Sequence, residues 1–233
     1  GLWFRDVISE SRGGLYDDQM DRSFRWGMGW FIFSEVMFFA AFFGALFYVR
    51  MFAIPWLGGE GAKGVSALLW PDFVATWPLL NPPDSSIAGP EQVFSPWQLP
   101  LVNTLILITS SITLTVAHEA LKVGDRKTCR NWLTGTVLLG CCFIMIQGIE
   151  YYEAYAHYGI TLEAGIFGAT FFILTGFHGV HVIIGTLILA AMLVRIIKGH
   201  FGDENHFGFE ASCWYWHFVD VVWVGLFIFV YVL

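Results

Sequence analysis

The sequence predicts an all-α integral membrane protein, a bundle of five transmembrane helices. Of its 233 residues, 56% are hydrophobic and only 13% are charged, whereas a soluble domain of this length carries about a quarter charged residues. Five stretches are apolar over about 20 residues, the length that an α-helix needs to cross the hydrocarbon core. In lipid the backbone must hydrogen-bond to itself, and the alternating pattern of a membrane β-barrel is absent, so we expect all five to be helical.

The predicted spans are separated by turn-forming segments. We expect Pro55 to end the first span, and Pro96 and Pro100 to mark the start of the second. Between them, residues 54–97 are rich in Gly, Pro and Ser and should form an extended outer-side loop with room for a short surface helix. We therefore expect 1–233 to be a single membrane domain. Its helices are predicted at about 25–53, 98–121, 132–157, 164–197 and 211–233.

The fourth predicted span, 164–197, is longer than a bilayer requires. It must tilt or project into water, and the long side chains of Arg195 and Lys198 near its inner end can reach the headgroups. Small residues along this span permit close helix packing. They are Gly165, Gly168, Ala169, Gly176, Gly179 and Gly185.

The distribution of basic residues orients the chain. Ten Lys and Arg residues fall in the N-terminal segment, the 122–131 loop and the 195–210 loop, against only Arg50 and Lys63 elsewhere, and together they make the 12 of the chain. The N-terminus and these two loops should therefore face the cytoplasm or matrix, and the C-terminus the outer side. We expect the bacterial inner (plasma) membrane rather than the mitochondrial inner membrane.

Glu35 is a carboxyl group inside the first predicted span. It lies about ten residues into that span, near mid-bilayer at a helical rise of about 1.5 Å per residue. An ionised carboxylate there is costly, so we expect it to be protonated or paired. Two interpretations stay open: a carboxylate that exchanges protons or couples to a conformational change, and a neutral Glu that stabilises helix packing.

Three histidines inside the spans suggest either a metal site or interhelical hydrogen bonds. His178 and His181 lie three residues apart, so they share a helix face, and His217 could join them from another helix. No HExxH motif accompanies them, and histidines that hydrogen-bond across a helix interface are the more common outcome. The absence of CxxC and CxxCH motifs also gives no support to attached haem or a cysteine zinc site. We predict no metal ligand in this chain.

Other polar groups in the spans are predicted at helix interfaces. Asp220 follows His217 by three residues, and a local hydrogen-bonded pair would lower the cost of its burial. Glu150 and Glu153 are also three apart, near tyrosines suited to anchor the outer membrane interface. None of these groups forms a nucleophile–base–orienter set, so we predict no catalytic residue.

Basic residues at the inner ends of the spans suit anionic lipid headgroups. The candidates are Arg25, Arg195 and Lys198, with ordinary snorkelling side chains as the alternative. Because the basic residues flank membrane spans, nucleic-acid binding is not predicted.

Three runs, in this order, resemble subunit III of the haem-copper cytochrome c oxidases. They are Phe33–Phe39 (FSEVMFF), Thr175–Gly185 (TGFHGVHVIIG) and Asn205–Trp223 (NHFGFEASCWYWHFVDVVW). The resemblance implies a non-redox subunit of an aa3-type oxidase that packs against subunit I beside subunit II, binds phospholipids and supports proton uptake and catalytic lifetime. It implies that haem A and copper belong to those partner subunits, that cytochrome c reaches the complex and not this chain, and that Glu35 reacts with hydrophobic carbodiimides.

The sequence departs from the resembling family in two places. Typical members have seven spans, the first two before the Trp3–Ile8 region, whereas here that region stands at the N-terminus and five spans follow; we therefore expect that two helices are missing from this chain or that another polypeptide supplies them. The family often shows a His-Thr pair shortly before the first span here, whereas this chain has Tyr16-Asp17. Any contact attributed to that His therefore cannot be transferred.

Two other functions remain as alternatives. The first is subunit III of a haem-copper quinol oxidase, which often has five spans, although the runs at 175–185 and 205–223 look more like the cytochrome c type. The second is a stand-alone proton-coupled transporter that uses Glu35 and the histidines. A transporter predicts inverted repeats and broken helices at mid-membrane, and the sequence has neither.

Overall fold

The computed structural model describes residues 2–201 and 206–233, without the side chains of residues 2–5 and 12. Gly1 and residues 202–205 lie outside this description. The second gap includes part of the predicted 195–210 loop and Asn205, the first residue of the Asn205–Trp223 run. All regular structure in the described residues is helical. The described residues form seven α-helices: α1 (Leu2–Arg12), α2 (Asp18–Tyr48), α3 (Ile54–Leu57), α4 (Leu99–Lys122), α5 (Arg126–His157), α6 (Gly165–Ile197) and α7 (Phe207–Leu226).

Five helical segments of the described chain are long and apolar enough to cross a membrane, which confirms the predicted fold class. They are Asp18–Leu57, Leu99–Lys122, Arg126–His157, Gly165–Ile197 and Phe207–Val232. Only 11% of the most apolar stretch of the first span is buried within the chain, against 50% for the fifth. The first span therefore offers most of its apolar surface to lipid or to other proteins.

Two helices, α2 and α5, begin earlier than hydropathy predicted, because capping residues start them in polar sequence. The Asp17 carboxylate accepts a hydrogen bond from the Met20 amide at 2.8 Å, so α2 begins at Asp18 instead of 25. The Asp125 carboxylate accepts from the Thr128 amide at 3.0 Å, so α5 begins at Arg126 instead of 132. Such a cap satisfies an otherwise unpaired N–H of the first turn. Side-chain and backbone hydrogen bonds from Thr128 also lower the pKa of the Asp125 carboxyl.

Pro55 does not end the first span, contrary to the prediction. The helix continues from α2 through a π-helical segment, Val49–Ala53, into α3, which ends at Leu57. Pro55 lies in the first turn of α3, where a missing backbone N–H is tolerated. The helix ends instead at Gly58, whose amide bonds the Ile54 carbonyl at 3.1 Å.

Beyond α3, the predicted 54–97 loop contains one short 3-10 helix, Gly64–Leu68, and is otherwise irregular. The α1 helix at the N-terminus was not predicted, since its eleven residues are too short and too polar to register as a span. It ends at Gly13 and Gly14, and the φ of +69° at Gly14 is a conformation that glycine adopts without strain.

The described residues pack as two compact units, and each long helix contributes a segment to both. Unit 1 comprises Gly1–Glu35, Leu105–Phe143 and His181–Val221; unit 2 comprises Val36–Thr104, Ile144–Val180 and Val222–Leu233. In unit 1 the fully buried indole of Trp216 donates a hydrogen bond to the Ser110 hydroxyl at 3.0 Å. Gly140 and Gly185 leave space for its ring, since a Cβ on either would come within about 3 Å of the indole.

Unit 2 is organised around a second buried tryptophan, Trp223. Its indole donates to the Thr104 hydroxyl at 3.0 Å. Nearby in the same unit, Arg50 donates to the carbonyls of Phe229 at 3.2 Å and Leu233 at 2.8 Å, which satisfies carbonyls at the end of the last helical segment. Membrane helices gain little from burying apolar surface against each other, so hydrogen bonds and close packing at small residues hold the segments together.

Candidate functional site

Glu35 of α2 contacts His181 of α6 within unit 1. His181 Nε2 and Glu35 Oε2 lie 3.0 Å apart, and the side chains are 12% and 22% exposed respectively. If the carboxyl is ionised, the ring nitrogen donates; if it is protonated, it can donate to the imidazole. The pair can therefore hold one proton at either position, in the part of the membrane where a lone carboxylate would be most costly.

Aromatic rings enclose the imidazole of this pair. Tyr215 lies parallel to the His181 ring at 6.3 Å between centroids, and Phe218 lies edge-on at the same distance. Phe31 in turn stacks on Tyr215 at 6.1 Å between centroids. Exclusion of water by these rings lowers the local dielectric and strengthens the Glu35–His181 interaction.

His178 does not share the site of His181, although the two are three residues apart. It is 1% exposed and packs in unit 2 with its ring 5.0 Å from the indole ring of Trp223. Among the residues that the structure describes, no three His, Cys, Asp or Glu side chains come together in a way that could hold a metal ion.

His217 and Asp220 of α7 form a third polar group, which includes Ser111 of α4. The Ser111 hydroxyl lies 2.7 Å from His217 Nδ1, and the same ring nitrogen is 3.5 Å from Asp220 Oδ2. The shorter contact shows that the hydroxyl, and not the carboxylate, is the main hydrogen-bond partner of the imidazole. Asp220 itself is 9% exposed.

Glu150 and Glu153 have different surroundings in unit 2. Glu150 is fully buried and interacts with the phenol of Tyr231, although no described atom pair meets hydrogen-bond geometry with its oxygens. Glu153 is partly exposed. The adjacent Tyr151 hydroxyl lies 2.8 Å from the Thr175 hydroxyl.

The three basic candidates for lipid contact differ in their availability. Arg25 lies 2.7 Å from Asp21 and 2.8 Å from Glu210, with its guanidinium 5.0 Å from the centre of the Phe207 ring. Arg195 lies over the Phe201 ring at 4.2 Å. Lys198 follows the end of α6 and is exposed.

Sequence reasoning missed several partners in these groups. Asp21 could have been found, since it stands four residues before Arg25, where helical side chains meet. Ser111, Tyr215 and Glu210 gave no such signal, because their partners come from other helices. Only packing brings them to His217, His181 and Arg25.

Comparisons with known proteins agree with the resemblance seen in the sequence. A family model described as Cytochrome c oxidase subunit III matches residues 1–233. A protein named Cytochrome c oxidase subunit 3 from Gadus morhua is 42% identical over 230 residues, which cover 98% of this chain and 77% of that relative. Proteins of the same name from Oncorhynchus mykiss and Scyliorhinus canicula are 41% and 42% identical over the same shares. This chain, an integral membrane protein, therefore belongs to the cytochrome c oxidase subunit III family.

Proposed function

We propose that this chain is the non-redox subunit III of an aa3-type cytochrome c oxidase. It packs directly against the catalytic subunit I in a complex that also contains subunit II. Haem A and copper belong to those partners, which take electrons from cytochrome c and reduce O2. The family match over the whole chain supports membership of the complex.

The observation that carries the proposed role within the complex is the hydrogen bond between Glu35 and His181 at 3.0 Å. A carboxyl and an imidazole in contact can accept and release a proton inside the membrane span without leaving a full charge unpaired. The proposed role is therefore to support proton uptake by the oxidase and to prolong its catalytic lifetime. Glu35 is 22% exposed, which supports the expectation that a hydrophobic carbodiimide can reach it.

Purification from native membranes tests membership of the complex. We expect the chain to co-purify in mild detergent with subunits that show haem A absorbance and contain the dinuclear copper centre of a cytochrome c oxidase. A haem-copper partner without that copper centre would favour the quinol oxidase alternative. Purification of the chain alone, or with partners that lack haem, would contradict the proposal.

The Glu35→Gln variant tests the proposed role. We expect assembly and initial turnover close to those of the wild type, loss of carbodiimide labelling, and a faster decline of activity during sustained turnover. Glu163→Gln, at an exposed carboxyl between α5 and α6, is the control and should behave as wild type. An unchanged decline in Glu35→Gln would show that the carboxyl serves only helix packing.

Phospholipid binding is proposed at the inner end of α6, through Arg195 and Lys198. Both side chains lie where the helix leaves the membrane, and a cation there suits a lipid phosphate. Arg25 is a weaker candidate, because two carboxylates already engage it. Mass spectrometry of the purified complex should show fewer retained anionic phospholipids in Lys198→Gln than in Lys63→Gln, whose parent lysine lies on the outer loop.

We also propose that the N-terminus faces the cytoplasm of a bacterium. The excess of basic residues on that side supports this orientation. Val65 and Val123 are 72% and 79% exposed in the 54–97 loop and the α4–α5 turn, so cysteines there report on opposite sides. A membrane-impermeant maleimide should label Val65→Cys in intact cells and Val123→Cys only after permeabilisation; the reverse pattern would invert the orientation.

A further inference from the structure

Glu150 is a fully buried carboxyl group within the α5 membrane span. It is 0% exposed and lies roughly 10 Å along the axis from the end of the helix at His157. The ion pairs found among the described residues do not include it. A carboxylate buried in a membrane without a cation is costly, so this group must either be neutral or be stabilised by other neighbours.

An uncharged phenol and an uncharged amide accompany Glu150. Tyr231, in the last helical segment Phe227–Val232, interacts with both the Glu150 carboxyl and the Gln147 amide. Gln147 is 7% exposed and precedes Glu150 by three residues, so the two lie on one face of α5. The Gln147–Glu150–Tyr231 cluster therefore brings together three polar groups inside unit 2, and none of them carries a positive charge.

The contacts within the Gln147–Glu150–Tyr231 cluster are not those of a buried carboxylate. All five side-chain oxygen and nitrogen atoms of the three residues are buried, and none meets hydrogen-bond geometry with a described atom. A buried carboxylate is stabilised by short, strong hydrogen bonds, of about 2.5–2.7 Å when the donor is a hydroxyl. The looser contacts observed here suit a neutral carboxyl group.

The remaining neighbours of Glu150 either repel a negative charge or have no proton to donate. Glu153 lies one turn further along α5, and its carboxylate would repel an ionised Glu150. The Tyr151 hydroxyl lies 2.8 Å from the Thr175 hydroxyl, which itself donates to the Phe171 carbonyl at 2.7 Å. Tyr151 must therefore donate to Thr175, and its proton is not available to Glu150.

Glu150 differs from Glu35 in both its partner and its access. Glu35 is 22% exposed and contacts the imidazole of His181, which can take its proton. Glu150 is sealed, and neither the phenol nor the amide beside it accepts a proton at neutral pH. The first carboxyl can exchange a proton with its partner, whereas the second can only keep one.

We propose that the Gln147–Glu150–Tyr231 cluster is a proton-binding site, in which Glu150 keeps its proton for as long as the protein stays folded. The Glu150 hydroxyl donates to the Gln147 amide oxygen, and the Tyr231 hydroxyl donates to the other carboxyl oxygen. The bound proton joins α5 to the last helical segment without placing a charge in the membrane. This inference is independent of the proposed function, because it uses only groups within this chain.

Infrared difference spectroscopy of the protein, purified with its native partners at neutral pH, tests the proposal. The spectrum of the wild type minus that of Glu150→Gln should contain the carbonyl stretch of a protonated carboxylic acid. The matched control, Glu163→Gln at an exposed carboxyl, should give carboxylate bands instead. Carboxylate bands in the Glu150→Gln difference would overturn the proposal. Because the site is sealed, the acid band should shift in D2O only after unfolding, and an immediate shift would contradict a proton that is kept.

Tyr231→Phe keeps the proposal testable if Glu150→Gln does not assemble. This change removes the phenol hydroxyl and retains the ring, so the Glu150 carbonyl loses a donor and its acid band should move to higher wavenumber. Tyr152→Phe, at a 68% exposed tyrosine of the same helix, is the control and should leave that band in place. A difference spectrum of Tyr231→Phe without any change in the acid region would overturn the proposal.

Carbodiimide labelling separates this site from Glu35. A hydrophobic carbodiimide reacts with protonated carboxyl groups, but it should not reach Glu150 in the folded protein. Folded Glu35→Gln should therefore carry no label at Glu150, and a label there would show that the site is open. Absence of haem in the purified wild type would refute the proposed function and leave the infrared result at Glu150 unaffected.

Discussion

Close packing of Gly185 against Trp216 predicts that one added methyl group destabilises the protein. A Cβ at Gly185 would lie 2.8 Å from Trp216 Cε3 and 3.0 Å from Cζ3, whereas optimal carbon–carbon contacts are about 3.5–4.0 Å. The indole has little freedom to retreat, because it is fully buried and bonded to Ser110 at 3.0 Å. A Cβ at Gly140 would also lie 3.0 Å from the ring, at Trp216 Cη2.

The magnitude follows from two opposing effects of Gly185→Ala. Overpacking a well-packed core costs about 1–3 kcal/mol, while Ala gains about 0.5–1 kcal/mol over Gly inside a helix. We expect a net loss of about 1–2 kcal/mol in the free energy of unfolding. Gly179→Ala, on the same helix, is the matched control. A Cβ there meets nothing within 4 Å, so this variant should be as stable as wild type or slightly more so.

Thermal unfolding followed with a thiol-reactive fluorogenic maleimide measures the difference. Cys129 and Cys213 are 0% and 3% exposed, so they react only when unit 1 opens. The accessible Cys141 and Cys142 are replaced by alanine in all variants compared. At about 2–4 °C per kcal/mol for a chain of this size, Gly185→Ala should lower the midpoint by about 2–8 °C. Equal midpoints for Gly185→Ala and Gly179→Ala would refute the reasoning.

A double-mutant cycle isolates the contact itself. Trp216→Phe shortens the ring that meets the new methyl group, so Gly185→Ala should cost less in that background than in the wild type. Strict additivity of the two changes would show that the loss has another origin.

Three further predictions concern charged groups. Arg25→Met should lower the free energy of unfolding by at most about 1 kcal/mol, because the ion pair with Glu210 is partly exposed. Glu210→Gln should then cause little further loss in the Arg25→Met background. Full additivity of the two changes in a double-mutant cycle would argue against the pair. Arg50→Met should lower the free energy of unfolding by about 1–3 kcal/mol, because it removes two charged hydrogen bonds to carbonyls. Hydrogen–deuterium exchange should become faster in Phe227–Val232. Unchanged exchange there would contradict the role of Arg50. Hydrogen bonds from Thr128 lower the pKa of the Asp125 carboxyl in the folded protein. The ionised carboxylate therefore stabilises the fold at pH values above about 3.9, the ordinary pKa of Asp, and this stabilisation is lost as the pH falls through the lowered pKa. Asp125→Asn should therefore show a smaller drop in melting temperature on acidification below about pH 4, and an identical pH profile would exclude the effect.

The number and type of the spans could be predicted from sequence because they depend on local quantities. Twenty consecutive apolar residues can only be accommodated as a helix in lipid, whatever their neighbours are. Helix ends were harder to predict, since Asp17 and Asp125 start α2 and α5 within polar sequence where hydropathy gives no signal. Pro55 misled the prediction for a related reason: its effect depends on its position within a turn, and the π-helical segment before it made that position tolerable.

The sequence by itself determined the membrane class, the five helices, the family and the polar residues that needed partners within the spans. Glu35, His178, His181 and His217 could all be identified as costly in lipid from their positions alone. Which group each one contacts was decided only by the tertiary structure. The spacing of the two histidines suggested a shared site, but packing gave His181 to Glu35 and placed His178 against Trp223. The physical reason is that burial cost belongs to a residue and its depth, whereas a hydrogen bond requires two helices to meet at the right rotation and height.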